Sequence, residues 1–133
     1  MNSQSLPPID AEIQELRAVA QTYFDAIYEA DADKFASIFH PTSSLTSLNE
    51  HGDVAVTGVQ AWLEAVRARK SPKSQGLVRD DQILCIDVNR GELALLKLKC
   101  QSQPRYFIDM LVCIKINGSW KVVQKIFSVI TRT

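Results

Sequence analysis

Two hydrophobic periods divide the chain. From residue 11 to about 29, Ile13, Leu16, Ala20, Tyr23 and Ile27 recur at helical spacing and line one side of a helix. Gln14, Glu15, Arg17 and Gln21 fall off that stripe and face water. Asp10 predicts an N-cap, and Glu12 in the first turn suits the positive end of the helix dipole. Asp31 and Asp33 open a second, shorter helix whose buried side is Phe35, Ile38 and Phe39. Pro41 closes it, because the residue before a proline avoids the helical region. Thr42 to Leu48 alternates weakly and predicts a strand, turning at Glu50-His51-Gly52-Asp53 into a brief strand at Val54-Ala55-Val56. Gly58 opens a third helix with Val59, Trp62, Leu63 and Val66 inward, and a basic, polar loop follows from Arg67 to Gly76. Pro7 and Pro8 mark residues 1–9 as a flexible tail ahead of one domain at 10–133.

In the second half the period changes to two. Residues 81–89, 92–101, 105–116 and 119–131 carry β-branched and aromatic residues between turn signals and predict four strands. Asn89-Arg90-Gly91 and Asn117-Gly118 predict hairpin turns, the second with a positive φ at Gly118. Helices followed by a run of antiparallel strands is the α+β pattern. A curved antiparallel sheet wrapped around the N-terminal helices makes a cone-shaped half-barrel with a pocket inside.

The last turn also predicts which residues share a face. With Asn117-Gly118 as its two central residues, Ile116 faces Ser119 and Asp109 faces Ile126. Alternation then places Phe107, Asp109, Leu111, Cys113, Trp120, Val122, Gln124, Ile126 and Ser128 on one face. Tyr106, Ile108, Met110, Val112, Ile114, Val123, Lys125, Phe127 and Val129 fall on the other. Both faces are apolar, so both must be covered. One can line the pocket. The other is expected to meet a second copy, through Ile108, Met110, Val112, Ile114 and Phe127, as a homodimer.

Composition narrows the functions. The chain has 133 residues, 46% hydrophobic and 23% charged, as befits one ordinary globular domain. Fifteen basic residues balance fifteen acidic ones, without the basic excess of a nucleic-acid binder. Arg67, Arg69, Lys70, Lys73 and Arg79 have no interleaved aromatic residues and read as a solvated loop. No apolar run approaches the ~20 residues of a membrane helix, and the start lacks a basic region followed by an apolar one. A cytoplasmic protein with neither membrane nor nucleic-acid partners is expected. Cys85, Cys100 and Cys113 are odd in number with apolar neighbours, which predicts buried free thiols. Cys85 and Cys100 stand about four ladder positions apart, beyond a disulfide's reach. No zinc spacing, phosphate loop or serine elbow occurs, so neither metal nor cofactor is expected.

Several segments carry a family likeness. Tyr23-Phe24-Asp25-Ala26-Ile27-Tyr28-Glu29-Ala30-Asp31 resembles the first-helix segment of nuclear transport factor 2-like proteins, and Phe39-His40-Pro41 resembles the segment after their second helix. Phe107-Ile108-Asp109-Met110-Leu111 and Asn117-Gly118-Ser119-Trp120-Lys121-Val122-Val123 resemble the last hairpin of the branch named "putative lumazine-binding". The similarity runs over nearly all of residues 10–131. It implies a cone-shaped fold with a hydrophobic pocket, usually in a homodimer. That superfamily holds isomerases, dehydratases, cyclases, transport adaptors and plain binders, so the resemblance fixes no activity.

Candidate chemistry centres on the face that holds Asp109, Gln124 and Ser128 among apolar neighbours, a composition suited to a small-molecule pocket. Tyr23, Trp62, Phe107, Leu111 and Trp120 are the candidate walls. Two roles fit Asp109. In apolar surroundings it can serve as a general acid or base; alternatively it forms a structural pair with Lys125, Lys97 or an arginine. His40 is a candidate base at a pocket mouth, or satisfies the last helix carbonyls. His51 falls in a solvated turn. Three function classes follow: a binder of a small, largely apolar molecule; an isomerase-, dehydratase- or cyclase-like enzyme using Asp109; and an interaction module that docks proteins on its sheet.

Overall fold

The computed structural model describes residues 8–132. Helix α1 (Ile9–Glu29) buries Leu16, Val19, Ala20, Tyr23, Phe24 and Ala26 along one side. It starts earlier than the Asp10 cap predicts: Pro8 is the N-cap, and Asp10 lies inside the first turn, where its charge still suits the dipole. Of the expected tail at 1–9, residues 1–7 lie outside the described residues, and Ile9 already belongs to α1. The helix ends on Ala30 in the left-handed conformation, φ 49°. Asp31 then caps α2 (Ala32–Ile38), accepting the backbone N–H of Lys34 at 3.1 Å.

Strand β1 (Phe39–Leu48) begins three residues sooner than predicted, so Phe39 is a strand residue and Pro41 does not terminate the helix. Pro41 falls in an irregular stretch of the β1–β6 pairing between Phe39 and Ser44, where a missing N–H is tolerated. Strand β2 (Val54–Gly58) leads into α3 (Val59–Ala68), which buries Val59, Leu63 and Val66. Four strands follow: β3 (Gln82–Asn89), β4 (Leu93–Ser102), β5 (Arg105–Ile116) and β6 (Ser119–Thr131). Asn117 and Gly118 both have positive φ, 50° and 81°, as a two-residue turn of type I′ requires.

The strands form one open sheet in the order β2-β1-β6-β5-β4-β3. All neighbours are antiparallel except β1 and β6, so the sheet is mixed rather than purely antiparallel. The helices pack on its concave side in an α+β cone, and the core is shared by α1, α2, α3 and the inward residues of β4, β5 and β6. Cys100 and Cys113 are buried in that core, whereas Cys85 is exposed, contrary to the expectation of three buried thiols.

One irregularity decides the interior. Pairing of β5 with β6 runs from Ile116↔Ser119 to Cys113↔Val122, then resumes at Val112↔Gln124, leaving Val123 as an extra residue. Asp109 therefore faces Phe127 rather than Ile126. A one-residue slip moves every later side chain to the opposite face. Beyond the bulge Lys125 and Phe127 share the inner face with Asp109 and Leu111, while Gln124, Ile126 and Ser128 join Ile108, Met110 and Val112 outside. The expected face assignments for Gln124, Ile126, Ser128, Lys125 and Phe127 are thus reversed.

Candidate functional site

Inside the cone lies a cavity of about 560 Å³. Trp62 of α3, Phe107 of β5 and Phe127 and Val129 of β6 supply its apolar walls. Its exposed end carries Arg69 and Lys70, from the loop after α3, and Arg105 from the start of β5. The basic loop is therefore only partly a solvated one. Arg67 pairs with Asp33 at 3.3 Å, and Arg79 bridges Asp25 and Asp81 at 2.8 and 2.7 Å, but Arg69 and Lys70 turn to the cavity.

Lys125 lines the same space and is only 5% exposed. Its ammonium stands 4.7 Å from the Trp62 ring, 4.8 Å from Phe127 and 5.2 Å from Tyr23, inside a box of aromatic faces that attract a cation. Burial lowers its pKa; the nearby Asp109 carboxylate opposes that shift and Arg69 reinforces it.

Beneath the floor is a second layer. Tyr23 and Asp109 are both fully buried, and the Tyr23 hydroxyl donates to Asp109 Oδ2 at 2.6 Å. The Cys100 thiol approaches the same oxygen at 3.7 Å. Asp109 Oδ1 is buried with no hydrogen-bond partner, and among the described residues no cation comes within ion-pair distance of the carboxylate. Burial and the neighbouring carboxylate raise the Tyr23 hydroxyl well above an ordinary phenol, and burial pushes the Cys100 thiol up. Cys113, in purely apolar surroundings, is raised to about 12. Neither thiol is a ready nucleophile.

The structure thus gathers only part of the predicted site. Trp62 and Phe107 line the cavity; Tyr23 and Asp109 lie behind it. Leu111 is fully buried core, and Trp120 turns its indole N–H to Glu15 at 3.0 Å, away from the cavity. Gln124 is on the outer face, accepting from the Ser44 hydroxyl at 3.0 Å and donating to Thr46 at 3.2 Å. Ser128 is on that face too, in a groove of about 610 Å³ shared with Leu48, Val54, Met110 and Ile126. His40 sits in β1 with its Nδ1 2.7 Å from the Thr42 hydroxyl, and His51 lies exposed in the β1–β2 turn, 3.6 Å from Glu50. Lys125 and Arg69 were missed. Alternation put Lys125 outside, and nothing in Val122-Val123-Gln124 announces the bulge that turns it in.

Among the described residues, no group of three or more His, Cys, Asp or Glu side chains is placed to hold a metal. No described helix is long and apolar enough to cross a membrane.

The family model described as "Putative lumazine-binding" matches residues 11–128. The chain belongs to this family. Its fold is that of the nuclear transport factor 2-like superfamily. An NTF2-like protein from Shewanella baltica OS155 superposes with a TM-score of 0.84 at 18% identity, over 95% of this chain and 99% of that one. A second, from Silicibacter pomeroyi DSS-3, gives 0.78 at 21% identity, over 93% and 100%. A ketosteroid isomerase-like protein from Erwinia carotovora atroseptica SCRI1043 gives 0.71 at 16%, over 91% and 98%. At such identities the likeness establishes the fold of this lumazine-binding-family chain and not its chemistry. A search of curated proteins returns no match.

Proposed function

We propose that the protein binds a small molecule with a flat apolar body inside the cone. One observation carries this reading: Trp62, Phe107 and Phe127 wall a cavity of about 560 Å³ with one buried polar group, Lys125, at its floor. The aromatic side chains wall its inner part and the other polar side chains gather towards its exposed end. An apolar surface with placed polar groups, in a volume of roughly 300–1,000 Å³, is the usual make-up of a ligand site. The family description names lumazine, a flat bicyclic heteroaromatic, and such walls accept that shape. Asp109 has no face on the cavity, so in this reading it does not meet a ligand; it lies behind the floor, hydrogen-bonded to Tyr23.

The test is an NMR titration with neutral 2-naphthamide. Saturable shifts are expected for the Trp62 indole N–H and for the amides of Phe107 and Val129, and Trp62→Ala should abolish them. Shifts confined to Met110 and Ile126 on the outer face, or none at all with this compound and with the acid 2-naphthoate, would refute the proposal.

A further inference from the structure

Taking the cone as a ligand site in this way, we infer that its ligand is a small organic anion, an aromatic acid whose charged group lies between Arg69 and Arg105 at the mouth while its ring rests between Trp62, Phe107 and Phe127. The cavity is lined by Arg69, Lys70, Arg105 and Lys125, and no acidic side chain lines it. Elsewhere on this molecule basic side chains near the helices find carboxylates: Lys34 with Glu29, Arg67 with Asp33 and Glu64, Arg79 with Asp25 and Asp81. Among the described residues, Arg69, Arg105 and Lys125 have no such partner within salt-bridge distance. The chain as a whole is neutral, so this excess is local rather than a symptom of composition.

The cations also act on one another. Burial and then Arg105 lower the pKa of Arg69; burial lowers that of Lys125, Asp109 and Cys100 behind the floor oppose the shift, and Arg69 adds to it. Like charges crowded around one space without counter-ions disfavour the empty cavity, and an anion relieves them. Asp109 does not fill that role. It lies behind the floor with one oxygen held by Tyr23, more than salt-bridge distance from Lys125. Lys125 is itself a buried donor, 5% exposed, and the aromatic faces of Trp62 and Phe127 are what it meets on the cavity side among the described residues. Guanidinium groups at the mouth are suited to grip a carboxylate with two parallel N–H donors. Aromatic walls select an acid with a flat body over a bare inorganic ion. Cations turned into a cavity, rather than spread along a surface, do not suit a nucleic-acid backbone.

Calorimetric titration of the full chain with 2-naphthoate and with its neutral isostere 2-naphthamide reads the charge alone. Hydrogen bonds to a charged group contribute about 1.5–3 kcal/mol, so 2-naphthoate is expected to bind at least about tenfold more tightly. In Arg69→Gln/Arg105→Gln, both exposed positions, that ratio should fall towards one while the thermal melt confirms a folded protein. Equal affinities in the unaltered protein, or a ratio that survives the double substitution, would overturn the anion inference and leave cone binding standing. If neither compound moves the Trp62 indole resonance, the anion inference and the proposed function fall together.

Discussion

Lys125 shows how one buried side chain ties stability to pH. Burial, against the pull of Asp109, leaves its pKa in the folded protein below the 10.5 of a free lysine. Between the folded value and 10.5 the unfolded chain holds more protons than the folded one, so stability rises with pH across that window. Below the folded value both states are charged, and the desolvation penalty on the folded state is present in full. Lys125→Met keeps a straight chain of similar size and removes the titration. Urea denaturation at a series of pH values should therefore show the unaltered protein gaining stability relative to Lys125→Met as pH climbs from neutral towards 10.5. Tyr23, Cys100 and Cys113 are raised by folding, so above the ordinary values of 9.0 and 10.0 they lower stability as pH rises, but they do so in both proteins, and the comparison with Lys125→Met removes that common contribution. A stability difference that stays flat over that range would mean the ammonium is solvated.

Among the elements, α1 is fixed to the sheet by a contact the chain pattern conceals. Glu12 is fully buried, and both its carboxylate oxygens accept the backbone N–H of Gly91 in the β3–β4 turn, at 3.0 and 2.9 Å, with Lys115 at 3.6 Å. A charged hydrogen bond of this kind contributes about 1.5–3 kcal/mol, so Glu12→Ala should lower stability by about that amount, more than Glu15→Ala on the exposed side. Equal melting temperatures for the two variants would contradict it. As a first-turn acid, Glu12 reads from sequence as a partner of the helix dipole only, because its true partner lies 79 residues away. The same distinction separates what was legible from what was not. The α1 stripe, the β3–β6 boundaries and the Asn117-Gly118 turn all follow from local periodicity and turn chemistry, and the structure keeps each within a residue or two. Trp62 and Phe107 were legible as cavity walls for the same reason. Lys125 and Gln124 were not, because a single extra residue at Val123 exchanges their faces, and the cost of that bulge is settled by packing across the sheet rather than by any local signal. Arg69 likewise joins the site through the path of a loop, which periodicity does not address.

For the whole molecule, the outer face of the sheet poses the question of self-association. Ladder partners place Val56, Thr46, Ile126 and Met110 in one row across four strands. Val56 is 64% exposed, Ile126 49% and Met110 37%, with Leu48 at 69% and Val54 at 68% beside them. An apolar patch spanning four strands is costly to leave in water, and a twofold axis through it covers the same surface on two copies at once. A homodimer through this face is the expected state. The bulge replaces Phe127 with Ile126 in the contact set read from alternation, so Ile126, near the centre of the row, becomes the position to test. Light scattering at micromolar concentration should return twice the 14.9 kDa chain mass. Ile126→Asp should return the chain mass itself, since the twofold axis would bring two carboxylates into a surface stripped of water. Because Ile126 is half exposed in the single chain, the substitution leaves the cone's interior untouched, and binding of 2-naphthamide at Trp62 should persist in the monomer. A monomeric mass for the unaltered protein would show that the patch is tolerated in water, and a dimeric Ile126→Asp protein would place the interface on a different surface.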